Sequence, residues 1–191
     1  MPYATVAQLK AYLDINSSAD DAVLTLIIDD AHAMIDRMTH RTFEATADTT
    51  RLFDYPSPYR QLLVFPPRVT LAQAPTTVIN GDGATIAASD YVMRGYDDGP
   101  YFGIRLKRSA TWTYIDDPEE AISITGRWAW SVTPPDDIRR ATIRLAMWMY
   151  RQRGNNADAE RPLIAEGGVV ALPSALPKDV IDTLEPYMRA L

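Results

Sequence analysis

The stretch DDAVLTLIIDDAHAMIDRMTHR, residues 20–41, decides how the chain begins to fold. With about 100° of rotation per residue, Leu24, Ile27, Ile28, Met34, Ile35 and Met38 all fall within about 60° of Ala31. Asp29, Asp36 and His40 fall on the opposite side. One stripe is apolar and the other is charged, so the spacing predicts a helix with one face in a core and one in water. Asp20 and Asp21 suit its electropositive start, and Arg37 and Arg41 suit its end. Upstream, Thr5 followed three positions later by Gln8 forms a capping box before Val6, Leu9, Tyr12 and Leu13, so a short helix is expected to open near Thr5.

Downstream the period changes. Pro56, Pro58, Pro66, Pro67 and Pro75 exclude long helices between about residues 48 and 132. Leu62-Leu63-Val64-Phe65 reads as a buried strand. Thr77-Val78-Ile79 before Asn80-Gly81-Asp82-Gly83 signals a hairpin, because its turn needs the positive φ that Asn and Gly accept. A second hairpin is expected about Asp97-Asp98-Gly99, joining Tyr91–Met93 to Tyr101–Leu106. Ile122, Ile124, Gly126, Trp128 and Trp130 alternate with Ser123, Thr125, Arg127 and Ala129, the period of a half-buried strand.

Helix returns after Pro134-Pro135. Asp136-Asp137 opens a segment reaching about Arg153, with one apolar stripe of Ile138, Ala141, Thr142, Leu145, Trp148 and Met149. A second stripe holds Ile143, Met147 and Tyr150. A helix apolar on two sides is sandwiched, inside its own fold or between subunits. Residues 155–176 have no period, and Pro177 opens a last helix with Val180, Ile181, Leu184, Tyr187 and Met188 on one side. The expected fold is α+β: a helical bundle built from both chain ends, residues 1–47 and 133–191, with an antiparallel β module inserted at 48–132.

Composition narrows the function. The 191 residues are 47% hydrophobic, enough for a sizeable core, and carry a formal net charge of −6. That balance argues against a surface that grips nucleic acid throughout. The absence of cysteine removes disulfides, thiolate metal sites and cysteine nucleophiles. No apolar run approaches the roughly 20 residues of a membrane span, and the first residues show no signal-peptide pattern. A soluble chain is expected.

Few residues suggest chemistry. His32, Asp36 and His40 recur at i, i+4 and i+8, a spacing that can align metal ligands or serve a metal- or carboxylate-dependent hydrolase, but no third local ligand lies with Asp36 and His40 on their polar face. Asp116, Asp117, Glu119 and Glu120 surround Pro118 and suit either a hard cation or a charged turn. Gly81 and Gly83 precede no helix, and no Gly-x-Ser-x-Gly occurs. The expectation is a protein that is not an enzyme, without cofactor or resident metal; a β-rich ligand-binding module is the other alternative.

Charge is more informative. Arg139, Arg140, Arg144, Arg151 and Arg153 gather on the helix after Pro135, whereas Asp20, Asp21, Asp29, Asp30 and Asp36 gather on the helix at 20–41. The charges are solvated ends, a nucleic-acid face, or two faces that meet head to tail between copies and close a ring. The candidate contact residues are Arg140, Ile143, Arg144, Met147, Tyr150 and Arg151. Leu163, Ile164, Val169 and Val170 join them, because they sit in an aperiodic segment that asks for a partner to order against.

Four stretches carry a resemblance: Ala4–Leu13, Asp20–Phe43 ending His-Arg-Thr-Phe, Pro134–Arg153, and Leu176-Pro-Lys-Asp-Val180 through Pro186-Tyr-Met-Arg189. In these the chain resembles the head–tail connector (adaptor) proteins of tailed bacteriophages and prophage-like gene transfer agents. His40 stands where a glycine-like helix end is expected in the family, and the β module is larger than in its smallest members. The resemblance implies a structural virion protein at the head–tail neck, assembled in the bacterial host cytoplasm. It implies a ring, typically of twelve copies, beneath the portal protein, offering a platform to a tail or stopper protein. DNA would pass through the lumen without sequence-specific binding, and no membrane partner is implied.

Overall fold

The computed structural model describes residues 3–57, 60–96, 99–154, 163–164, 170–171 and 176–188. The fold is α+β. By its contacts the chain forms two compact units, one from Met1–His40 with Pro135–Leu191 and one from Arg41–Pro134.

The first unit is helical, with α1 (Val6–Leu13), α2 (Asp21–Thr39), α3 (Asp136–Gly154) and α4 (Lys178–Leu184). The capping box forms as expected: the Gln8 N–H donates to Thr5 Oγ1 at 3.2 Å and the Thr5 N–H to Gln8 Oε1 at 2.9 Å. Asp14 closes α1 in the left-handed region, its N–H bonding to the Lys10 carbonyl. Along α2, Leu24, Ile28, Ala31 and Ile35 are buried, the four-three-four spacing of a single stripe. Thr39 is buried too, its hydroxyl returned to the Ile35 carbonyl at 2.8 Å. His40 ends the helix with φ 53°, doing the work of a C-terminal glycine. Lys10 Nζ reaches Asp21 at 2.8 Å and ties α1 to α2.

α3 packs against α1, α2 and α4, and this explains its two apolar stripes. Ile138, Ala141, Ile143, Leu145, Ala146 and Met147 are all buried. The helix is sandwiched within its own fold. From α4, Val180 and Leu184 supply the core, while Ile181 stays 36% exposed.

The second unit holds two three-stranded antiparallel sheets. Their strands are β1 (Thr49–Phe53), β2 (Leu62–Val64), β3 (Thr77–Ile79), β4 (Tyr91–Gly95), β5 (Tyr101–Leu106) and β6 (Ile122–Gly126), in the orders β1-β6-β3 and β2-β5-β4. One core serves both, with Phe53, Leu63, Phe65, Leu71, Ile104 and Ile124 among its members. The β4–β5 hairpin forms where expected, Tyr91 opposite Leu106 and Met93 opposite Ile104.

Three features of this unit depart from the sequence pattern. β6 stops at Gly126 instead of running to Trp130, because its partner β1 begins at Thr49 opposite Gly126. Beyond it Trp128 stays buried, its indole N–H donating to the Thr49 carbonyl at 2.8 Å, and the Trp130 N–H turns to the Thr42 carbonyl. The turn after Ile79 closes through Asn80 N–H to the Ala84 carbonyl, yet its return is the single bridge Ile79–Thr85; the ladder partner of β3 is β6. The Asn80 side chain explains this, since it spans to the Thr111 carbonyl and the Thr113 N–H and so fastens the turn to a distant loop. The unforeseen strand is β1, whose first four residues are exposed.

Within residues 155–176, β7 (Leu163–Ile164) pairs antiparallel with β8 (Val170–Ala171). Apart from Leu176, the rest of that expected aperiodic segment, Val169 included, lies outside the described residues. No helix among the described residues is long and apolar enough to cross a membrane.

Candidate functional site

The residues with potential for chemistry serve the fold. Asp36 accepts a hydrogen bond from the hydroxyl of buried Tyr3, and His32 Nε2 lies 3.5 Å from its other oxygen. The Tyr3 ring packs on the His32 ring with centroids 3.9 Å apart. This clasp fixes the chain before α1 to the side of α2, while His40 occupies the helix end. Among the described residues no group of three or more His, Asp or Glu side chains could hold a metal ion. Asp116, Asp117, Glu119 and Glu120 lie in an exposed turn. Asp117 accepts the Glu119 N–H at 2.9 Å and Asp54 accepts the Glu120 N–H at 3.0 Å, the pattern of Asx-stabilised turns.

The candidate contact residues divide by their surroundings. Ile143 and Met147 are 5% and 6% exposed and fill the helical core, the inside-the-fold alternative for the second stripe. Arg144 Nε donates to Asp179 at 2.8 Å, a pair that holds the carboxyl of Asp179 below its ordinary value. Tyr150 donates its hydroxyl to Asp20 at 2.8 Å, and that bond holds the phenol above its ordinary value. Arg140 and Arg151 point to solvent. Leu163, Ile164 and Val170 belong to the β7–β8 ladder.

The acidic face is spent in the same way. Asp20, Asp21 and Asp36 are bonded by Tyr150, Lys10 and Tyr3, and only Asp29 and Asp30 of the five stay fully exposed. Three acids of α2 are thus met inside the chain by a lysine and two tyrosine hydroxyls, while Asp29, Asp30, Arg140 and Arg151 stay exposed.

Two features of the β unit leave no trace in the sequence pattern. One is a pair of arginine–tryptophan stacks: the Arg41 guanidinium lies 4.4 Å from the Trp130 ring centre and that of Arg51 lies 5.2 Å from the Trp128 ring centre. The other is an open groove of about 430 Å3 between the edges of β1 and β2, lined by Leu52, Tyr55, Leu62, Val64, Pro66 and Glu120 among others. It is broad and shallow in shape, with carboxylates on its rim, and suits a protein surface better than an enclosed small molecule.

The α+β fold described above has counterparts among known proteins. Residues 3–65, about a third of the chain, match the phage gp6-like head-tail connector protein family. In fold, the chain is similar over 97% of its length to 90% of a protein chain in the neck of an empty GTA particle computed with C6 symmetry, with 17% identity and a TM-score of 0.60. A chain from the neck of a native GTA particle computed with C12 symmetry gives 16% identity and a TM-score of 0.57 over the same shares. A chain from the virion of a native gene transfer agent (GTA) particle gives 17% and 0.54. No curated protein matches in sequence. The protein thus resembles head–tail connectors in sequence at its N-terminal third and neck proteins in fold along nearly its whole length.

Proposed function

We propose that this chain is a structural connector of the head–tail neck in a tailed-phage or gene-transfer-agent particle. Copies assemble into a closed ring beneath the portal protein, extend the channel through which DNA passes, and present a platform to a tail or stopper protein. The observation that carries this reading is the fold likeness to neck proteins over 97% of the chain, together with the connector-family match at residues 3–65. A ring of twelve is the count supported by the C12 neck. The net charge of −6 fits a conduit that does not hold phosphates. In this reading the helical parts from both chain ends form the common adaptor body and the β module is an insertion into it. Its place is the virion neck, reached from the bacterial host cytoplasm, and its work needs no catalysis: His32 and Asp36 are engaged in holding the fold.

Disrupting the gene in a producing strain tests the proposal. The expected result is filled heads and finished tails that stay unjoined. Normal tailed particles from the disrupted strain would refute it.

A further inference from the structure

The β unit carries opposite charge at the two ends of one strand ladder. The ladder of β1 and β6 runs from Phe53 opposite Ile122 to Thr49 opposite Gly126. Just beyond the Ile122 end stands the turn Asp116-Asp117-Pro118-Glu119-Glu120, all exposed, joined to the end of β1 through the Tyr55 N–H to the Pro118 carbonyl at 2.7 Å. Tyr114 and Ile115 lead into it 44% and 69% exposed, so the acidic turn has an apolar shoulder.

Towards the Gly126 end stands Arg68, and Arg51, opposite Ile124 at the middle of the ladder, carries its guanidinium to the Trp128 ring beyond Gly126. Both border a small hollow with Thr42, Thr70 and Trp128. The stack on Trp128 braces Arg51. Arg68 holds φ 79° at the third position of the turn Pro66-Pro67-Arg68-Val69, closed by the Val69 N–H to the Pro66 carbonyl at 3.0 Å. Glycine or asparagine is the usual residue at that point of a type II turn, so the backbone accepts strain to present an arginine. Neither Arg51 nor Arg68 forms an ion pair among the described residues, whereas neighbouring Arg127 is matched by Asp48 at 3.5 Å. Tyr96, 67% exposed and packed on Trp130, gives this end an apolar shoulder of its own.

Four strand steps separate the ends of the ladder by about 13 Å. The screening length at physiological salt is about 8 Å, so charges that stand beyond opposite ends of the ladder, Arg68 and the acidic turn, are largely screened from each other within one chain. A surface with one sign at each end of a rigid ladder is complementary to a second copy of itself placed head to tail, and repeated head-to-tail contacts close a ring.

We infer that the arginine end of the β unit, Arg51 and Arg68, docks on the Asp116–Glu120 turn of the next copy and forms part of the ring contact. The inference rests on the connector reading above and adds the surface through which copies meet. Charge complementarity of this kind fixes partner and register, and the exposed tyrosine and isoleucine shoulders supply an apolar component beside it.

The test uses the full chain, assembled on its particle or portal. Arg51→Glu with Arg68→Glu, and separately Asp117→Lys with Glu119→Lys, should each reduce the yield of rings about tenfold or more, while all four changes in one chain should restore them. Circular dichroism of each variant separates lost assembly from lost folding, and Arg68→Glu alone spares the Trp128 stack. Because the chain has no cysteine, Arg68→Cys with Glu119→Cys should yield on oxidation a ladder of linked copies rising to the full ring. Rings unchanged in both reversals would overturn the inference and leave the connector reading standing. No wild-type ring at all would overturn that reading itself. Normal rings from the arginine reversal in particles that lose their DNA would assign the patch to nucleic acid instead, and a cross-linked species that stops at two copies would replace the ring contact by a two-fold one.

Discussion

Replacing Ile143 by alanine distinguishes a buried α3 from one that waits for a neighbouring subunit. Ile143 is 5% exposed, on a helix that packs against α1, α2 and α4 of its own chain. Removing a buried isoleucine side chain to alanine costs about 2–5 kcal/mol, the lost transfer energy plus the cavity left behind. At about 3 kcal/mol, and about 2–4 °C per kcal/mol for a chain of this size, the melting temperature falls by roughly 6–12 °C. The assay is thermal and urea unfolding of the dilute chain, repeated over a tenfold range of concentration to show that the loss does not depend on association. Leu26→Ala on α2, where the side chain is 66% exposed, is the control and should stay within about 0.5 kcal/mol of wild type. An Ile143→Ala chain that melts with the wild type when dilute but assembles poorly would refute the argument and return this stripe to a subunit interface.

Three further outcomes follow from the geometry. Arg144 depresses the carboxyl pKa of Asp179, so the pair's contribution is present above the unfolded value near 3.8 and is lost as pH falls through the lower folded value; the Asp179→Asn chain should show a shallower acid limb in pH-dependent unfolding, with a modest difference because both groups are exposed. Burial and the hydrogen bond to Asp137 push the Tyr187 phenol up to about 12, so the native state holds its proton where the unfolded chain has lost it, and the stabilisation present below pH 10 fades as pH rises through about 12; ultraviolet titration should lose a late-titrating phenol in Tyr187→Phe, while the raised phenols of Tyr91 and Tyr150 remain. At Gly126 an added Cβ would lie 2.9 Å from Leu71 Cδ2 and 3.2 Å from Pro75 Cα, so Gly126→Ala should destabilise by about 1–3 kcal/mol in urea unfolding with far-ultraviolet dichroism unchanged.

Local signals were legible where the physics that shapes an element lies within it. The Thr5–Gln8 box and the Leu24–Ile28–Ala31–Ile35 stripe are self-contained, and both helices formed where they pointed. β1 was silent because Thr49, Thr50, Arg51 and Leu52 are exposed and leave no alternation to read. β6 was drawn too long for the opposite reason: Trp128 continues the buried period although the ladder that defines the strand has ended with β1. The surfaces were harder. Whether the second stripe of α3 meets its own chain or another depends on helices far along the sequence. The partners that bond Arg144 and Tyr150 are Asp179 and Asp20, 35 and 130 residues away. The two-ended charge of the β unit likewise exists only once β1 and β6 are side by side.

Cryo-electron microscopy of the neck in purified particles tests the central claim most directly. The account predicts this chain as a closed ring between portal and tail, with the arginine end of each β unit turned to the acidic turn of its neighbour. Particles whose neck density contains no copy of the chain would contradict it.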